Sequence, residues 1–580
     1  MDNQTYKKWA GRFLLFASPL FCYIIFEGIT GNLLQIHGEF IVWNLLFYYT
    51  IYLLFFGITN STRISCLTLN TLFTVWAIAE YFLVEFRDRP IMFSDLMAWQ
   101  TATTVAGSYS YMPTAGMAAG VLLMLAGSFL IWKFPVRIDS GKKRLTVFLS
   151  ASVWALCWTI CFFAVVVPAR SIDVSMWKPA ETYRTQGALL CTMRMAGYLR
   201  VEKPEGYQSA KVKDLYNGLE ETAAGEEITP VNIICIMNES WSDLSVIGSF
   251  ETDEACFTYY ESMTDCIKGS VYVPVFGAMT SNTEYEFLTG NSMAFAPSGS
   301  VPFQIYMKKK TPSIVESVKS QGYHTIAMHP YPAENWNRTE AYGSLGFDQF
   351  LDLEYFEDSP TLRGYVSDRG SYEKVIQLTQ EHEEESLFIF LVTMQNHGGY
   401  AMDFEATVHL TEYEDMPQAE QYLSLIRESD MALEYLIEHY KASDEPTLIM
   451  MFGDHQPGIE EELYEALYGS ELSSVSPEDY LSRYATPFFI WTNYDNNLEE
   501  QTDFSVVYLS NQVLKAANLP LNGYQTFLEA LKTRVPVIHF MGYYDEEGNW
   551  QSWTGWESKD SYEWLQPFGW FQYYRMFDMK

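Results

Sequence analysis

The chain has 580 residues, more than a single hydrophobic core usually supports, so at least two units are expected. Its 72 acidic and 37 basic side chains leave a net charge of -35, which repels polyanions and excludes nucleic acid as a partner. Eight cysteines with no C-x-x-C pair exclude a disulfide framework and a thiolate metal centre, while Cys256 and Cys266 are close enough in sequence either to pair outside the cell or to remain free thiols.

Five stretches, at about 11–31, 39–59, 64–86, 114–132 and 145–168, approach the roughly 20 apolar residues that cross a bilayer as helix. Five such runs within the first 170 residues predict a polytopic membrane domain. Lys7, Lys8 and Arg12 precede the first run, Arg63 separates the second from the third, and Lys133, Arg137, Lys142, Lys143 and Arg144 crowd the loop between the fourth and fifth. All three sets lie on the cytoplasmic face if the N-terminus is inside, and an odd number of spans then puts everything after about residue 170 outside. The stretch 87–113 is amphipathic and suits the outer membrane surface. The first span is followed by others and so is no removable signal, whereas Val167-Pro168-Ala169 offers a signal-peptidase-type cleavage point.

The sequence turns polar from Val201 to Pro230, and residues 171–230 read as a linker with a peripheral helix. Beyond them, β-rich strings at Val231–Met237, Thr325–Met328, Leu387–Thr393, Thr447–Phe452 and Pro487–Thr492 alternate with amphipathic segments. That alternation predicts an α/β fold with a central, mainly parallel sheet flanked by helices. The expected division is 1–170, 171–230 and 231–580.

Open parallel sheets gather ligands beyond the carboxyl ends of their strands, so polar residues just after an apolar string are the first candidates. Four places qualify: Asn238-Glu239-Ser240, His329-Pro330-Tyr331, Asn396-His397 and Gly453-Asp454-His455-Gln456-Pro457. Each alone also reads as a helix cap or a structural histidine. Only nine histidines occur in the chain, however, and three of them follow such strings directly. Carboxylates with a neutral imidazole suit magnesium, manganese or zinc. A nucleophile is available in Gly277-Ala-Met-Thr280-Ser-Asn-Thr-Glu284, where metal coordination would activate the hydroxyl, although composition alone reads Thr280 as a helix N-cap.

The succession Asn-Glu-Ser around Glu239, Thr-Ser-Asn-Thr-Glu-Tyr-Glu-Phe-Leu-Thr-Gly from Thr280, Trp336-Asn337-Arg338, Asn396-His397 and Gly453-Asp454-His455-Gln456-Pro457 resembles the lipoteichoic acid synthase family of the alkaline phosphatase superfamily. The five spans and Arg87-Asp-Arg-Pro90 with Asp95 extend the resemblance over nearly the whole chain. It implies five transmembrane helices followed by an extracellular alkaline-phosphatase/sulfatase-like domain at the plasma membrane of a Gram-positive-type bacterium. It further implies one divalent metal, manganese first and magnesium or zinc as alternatives, on Glu239, Thr280, Asp454 and His455, with Thr280 also the nucleophile. Arg338 and Trp336 match the glycerol phosphate pocket, and His397 matches a substrate-site histidine that could handle a proton. His329 occupies a comparable position, but Tyr331 stands where some relatives carry an acid, which puts recognition of the glycerol end in doubt. The implied activity is transfer of glycerol phosphate from phosphatidylglycerol to a glycolipid or a growing polyglycerolphosphate chain through a covalent threonine intermediate. Another head-group transferase of the superfamily, such as a phosphoethanolamine transferase, is the nearest alternative, and a non-catalytic membrane sensor or cell-wall scaffold the alternative from another class.

Overall fold

The computed structural model describes residues 3–87, 90–91, 112–170, 172, 174, 179–197, 201–221, 231–495 apart from 298, 308, 334 and 401–403, and 503–579. These fall into two compact units, one ending at residue 197 and the other beginning at 201.

The first unit holds the five long apolar helices Asn3–Ile29, Gly38–Thr59, Thr62–Arg87, Ala115–Lys133 and Gly141–Cys161, the last running on through a π turn to Arg170. Each contains a window long and apolar enough to span a bilayer, with mean hydropathy between 1.4 and 2.1. Thr114 and Ser140 cap the fourth and fifth by accepting from the backbone N–H of Met117 and Lys143. The segment 171–230, expected as one linker, is divided between the two units instead. The reason is burial: helices Pro179–Gln186 and Ala188–Ala196 pack Leu189, Leu190 and Cys191 into the helical unit. Asn44 donates to the Gln186 carbonyl at 2.7 Å and accepts from Leu190 N at 3.0 Å, while Glu27 accepts from Ala188 N at 3.1 Å. The surface segment expected at 87–113 lies almost wholly outside the described residues, as do Asp88, Arg89 and Asp95.

The second unit is built on an eight-stranded sheet: β1 (Asn232–Asn238), β2 (Cys266–Tyr272), β3 (His324–Met328), β4 (Gln349–Leu351), β5 (Leu387–Val392), β6 (Thr447–Gly453), β7 (Ala485–Thr492) and β8 (Phe504–Ser505). The spatial order is β8-β2-β7-β6-β1-β5-β3-β4. β1, β5 and β6 are buried along their whole length because helices cover both faces, which is why they read as unbroken apolar strings. All strands run one way except β7, which is antiparallel to both neighbours. The connection from β6 to β7 contains only short helices, Glu461–Tyr468 and Pro477–Tyr480, and no long crossover returns the chain to the starting edge. β7 therefore starts on the edge where β6 ends. Cys256 and Cys266 are both free thiols.

Candidate active site

β1 and β6 are neighbours in register, Asn238 opposite Gly453, so Glu239 and Asp454 leave the same edge side by side. Gly453 makes that approach possible: a Cβ there would lie 1.8 Å from the Trp241 carbonyl oxygen. Glu239, Asp454 and His455 are all buried, and each presents one ligand atom within 4.8 Å of the others. Asp454 Oδ1 accepts from the backbone of Ser240 at 2.7 Å and of His455 at 2.9 Å, which leaves Oδ2 without a hydrogen bond. The His455 ring donates from Nδ1 to the Gln456 carbonyl at 2.9 Å. In the neutral ring its Nε2 lone pair then faces Asp454 Oδ2 at 3.1 Å and Glu239 Oε1 at 3.8 Å. Acceptors turned toward one another in a buried space need a positive charge between them. Burial, and then the Asp454 carboxylate, push the Glu239 carboxyl well above its usual range, which is the same requirement seen electrostatically. Two carboxylates and an imidazole without thiolate fit a single divalent cation of the magnesium, manganese or zinc type.

Thr280 lies close enough to Glu239 for its side chain to favour the charged carboxylate. It opens helix Thr280–Thr289, but Met279 occupies the cap position, so the threonine is not the N-cap that composition suggested. The turn before it and the helix itself are pinned to the loop carrying Asp454 and His455 by Gly277 N donating to the Gln456 carbonyl at 3.0 Å and Thr283 Oγ1 donating to the Asp454 carbonyl at 2.8 Å. A hydroxyl on the first turn of a helix also lies at the positive end of the helix dipole, where an anion is favoured.

Arg338 is 1% exposed and its fork is already half engaged: Nε and Nη2 donate to Glu284 Oε1 at 3.1 and 2.6 Å, and Tyr342 donates its hydroxyl to the other Glu284 oxygen. Nη1 has no partner. One prong of the guanidinium is thus left open. Glu284 and Tyr342 were not singled out from the sequence. Glu284 lies one helical turn after Thr280, a spacing that puts both on one helix face.

His329 follows β3 and donates from Nδ1 to the Val392 carbonyl at 3.0 Å, leaving Nε2 buried without a partner. Burial, and after it the Arg338 guanidinium, hold its pKa well below the usual imidazole value, so the ring stays neutral and Nε2 is an acceptor. Such an atom suits a hydroxyl donor rather than a phosphate oxygen. His397, after β5, is partly exposed, its ring lies 5.5 Å from that of Tyr365, and its charge would be felt at His329. Trp336 is buried in the turn Asn335–Asn337 just before Arg338.

Two further features were not legible. Asp368, fully buried, accepts from Asn238 Nδ2 at 2.8 Å and Ser429 Oγ at 2.6 Å, and Asn396 Nδ2 donates to Asn238 Oδ1 at 3.1 Å. This network fixes the ends of β1 and β5 beneath the site. Non-glycine residues with positive φ also cluster here: Ser240, Met279, Trp336 and Asn337 each adjoin or are a residue singled out above.

The Sulfatase family profile matches residues 231–519. A putative cyclic beta-1,2-glucan modification protein of Rhizobium meliloti is 28% identical over 468 residues, 78% of this chain and 69% of that one. A lipoteichoic acid synthase-like protein of Bacillus subtilis, YvgJ, is 26% identical over 39% of this chain and 38% of its own length. Among solved structures, the Streptococcus pyogenes phosphoglycerol transferase GacH in complex with sn-glycerol-1-phosphate aligns with a TM-score of 0.53 at 20% identity, over 64% of this chain and 94% of that one. The integral membrane lipooligosaccharide phosphoethanolamine transferase EptA of Neisseria meningitidis aligns with a TM-score of 0.52 at 12% identity over 88% and 95%. At these identities the two structures speak to the fold.

Proposed function

Residues 231–519 form a sulfatase domain of the alkaline phosphatase superfamily, and from that premise we propose that the chain is a membrane-anchored phosphotransferase moving glycerol phosphate from phosphatidylglycerol to a hydroxyl acceptor, a glycolipid or a growing polyglycerolphosphate chain. The observation that carries this reading is the buried set Glu239, Thr280, Asp454 and His455 with two unpartnered polar atoms nearby, Arg338 Nη1 and His329 Nε2. The phosphoglycerol transferase and lipoteichoic acid synthase-like relatives favour glycerol phosphate as the group moved.

In the first step Thr280 Oγ attacks phosphorus and gives up its proton, His397 relays that proton to the bridging oxygen as its bond to phosphorus breaks, and neutral diacylglycerol leaves. Arg338 Nη1 donates to a phosphate oxygen and steadies the charge that builds there. His329 Nε2 accepts a hydrogen bond from a glycerol hydroxyl, a donor that its neutral ring can read. In the second step the acceptor hydroxyl attacks the phosphothreonine, its proton passes to Thr280 Oγ, and the free enzyme is restored. A divalent cation on Glu239, Thr280, Asp454 and His455, when bound, lowers the pKa of the threonine hydroxyl and offsets charge on the phosphoryl oxygens. The positive-charge clusters favour an N-terminus inside and a catalytic domain outside the cytoplasm, where a bilayer donor can reach the site.

The Rhizobium relative, named for glucan modification, supports a soluble glucan as a second acceptor reading. Incubating the purified full-length protein with labelled phosphatidylglycerol and manganese, with and without chelator, tests the proposal. Chelator-sensitive release of diacylglycerol is expected, and a preparation that releases none with any of the three metals would defeat it. Transfer of label from phosphatidylethanolamine in preference would shift the head group to ethanolamine.

A further inference from the structure

A cavity of about 590 Å³ opens in the β6-to-β7 connection of the catalytic unit, within the size range of small-ligand sites. Its walls carry Tyr272, Tyr468 and Tyr544, the hydroxyls of Ser476 and Ser482, and the carboxylates of Glu478 and Asp479, with no Lys, Arg or His among the lining residues. Such a lining repels phosphate. It offers acceptors for hydroxyl protons and aromatic rings for the C–H faces of a pyranose ring.

Its position in the sheet gives it meaning. Tyr272 closes β2, and because β2 and β6 both run against β7, Tyr272 leaves the sheet on the same edge as Asp454. The cavity wall touches the metal-ligand loop: Gln456 Nε2 donates to the Ser482 carbonyl at 3.1 Å, and the Ser482 hydroxyl lies 2.8 Å from that of Tyr468. β6 and β1, which bring Asp454 and Glu239, stand between β2 on one flank and the β5 and β3 ends carrying His397 and His329 on the other. The phosphate-reading groups are thus all on one side of the reaction centre, and this anion-repelling cavity is on the other.

We propose that this cavity is the acceptor subsite and holds a neutral saccharide unit whose chain presents the attacking hydroxyl to the centre. The inference rests on the transfer reading given above and names the chemical class of its acceptor. The full-length protein in detergent micelles, applied to an array of immobilised neutral and anionic oligosaccharides that includes β-linked glucans, tests it. Wild-type protein is expected to retain neutral glycans, and Tyr468→Ala and Tyr544→Ala to weaken that binding about tenfold or more. Glu478→Gln, at an exposed position where folding is not at stake, should weaken it several-fold. Thermal unfolding midpoints close to wild type exclude misfolding of the tyrosine variants, and Glu478→Gln decides the matter if either one unfolds. Retention of anionic glycans alone, no retention at all, or undiminished retention by Glu478→Gln and the folded tyrosine variants would overturn the proposal. A protein that cleaves phosphatidylglycerol yet binds no neutral glycan refutes the subsite and leaves the transfer reading intact. One that binds neutral glycans but never cleaves the donor refutes the transfer reading instead.

Discussion

Replacing Arg338 separates charge from geometry. The guanidinium spends Nε and Nη2 on Glu284 and keeps only Nη1 for a ligand, so in the proposed reaction one planar group bridges a buried carboxylate and the phosphate. An ammonium on a shorter reach can serve one of them but not both. In Arg338→Lys the stronger pull is from Glu284, which is completely buried and has only the Tyr342 hydroxyl besides. The variant should therefore fold, with a modest loss of stability, and lose one charge-assisted hydrogen bond to the transferring phosphoryl group. Such a bond contributes about 1.5–3 kcal/mol, which corresponds to roughly 10- to 150-fold in kcat/KM for diacylglycerol release. Arg338→Ala differs in kind, because it leaves Glu284 buried and unpaired at a cost of about 3–5 kcal/mol, and it should unfold well below the wild type. The assay is initial-rate release of labelled diacylglycerol beside a thermal unfolding scan of each variant. A lysine variant with wild-type kcat/KM would refute the division of the fork between Glu284 and phosphate.

Thr280→Ala should abolish diacylglycerol release with little change in stability, and mass spectrometry of a peptide spanning Val275 to Phe287 after exposure to donor without acceptor should show glycerol phosphate on Thr280 in the wild type; normal transfer by the alanine variant would mean direct attack by the acceptor. Removing metal should lower the unfolding midpoint as well as activity, since Glu239 and Asp454 then face each other unscreened, and a cation at a hundred times its Kd adds about 2.7 kcal/mol; a midpoint indifferent to chelator and manganese would speak against the site. Glu286, buried on helix Thr280–Thr289, has its pKa raised to about 8, first by desolvation. Because the folded state holds this proton more tightly than the unfolded chain, its stabilising effect is complete below about pH 4.5 and is lost as pH rises through 8, a span worth roughly 5 kcal/mol at most. Glu286→Gln keeps the oxygen that accepts from Ser292 and Met293 N and should flatten the fall in melting temperature between pH 6 and 9; an unchanged slope would assign the fall to other groups. Protease added to intact cells should cut the unit containing Glu239 and His455, and protection of that unit would reverse the proposed orientation.

The features readable in the sequence were those set by local pattern. The five long helices and the buried strands β1, β5 and β6 announce themselves because few charged residues interrupt their apolar runs. Glu239, His329, His397 and Asp454 were readable for a related reason: a polar residue ending an apolar strand has to emerge at a sheet edge. β2 was missed because its string Cys266–Tyr272 is half-exposed and contains Lys268 and Gly269, so neither a continuous apolar run nor clean alternation marks it. The reversal of β7 depends on how its connection travels, which strand composition does not encode. Helix Ala188–Ala196 looked like linker because its apolar run is only nine residues long, yet Asn44 and Glu27 hold it in place from sequence positions far away. The same distance hid the Arg338–Glu284 pair: each residue was visible, but 54 positions separate them and no short-range rule joins them.

Met279, Ser240, Trp336 and Asn337 hold left-handed backbone that costs a side chain about 1 kcal/mol or more at each position. Glycine would relieve that strain at Ser240 and Asn337 without emptying an apolar site, whereas at Met279 and Trp336 it would also remove a buried side chain, so a search for thermostable variants should be drawn to the first two. Each also sets the direction in which Thr280, Glu239 or Arg338 points, and a relaxed backbone would let those directions wander. Selection for heat resistance and selection for turnover should therefore disagree at Ser240 and Asn337 and be largely indifferent to one another elsewhere in the sheet. Their tolerance to substitution under the two regimes would map the working centre without any knowledge of its ligand.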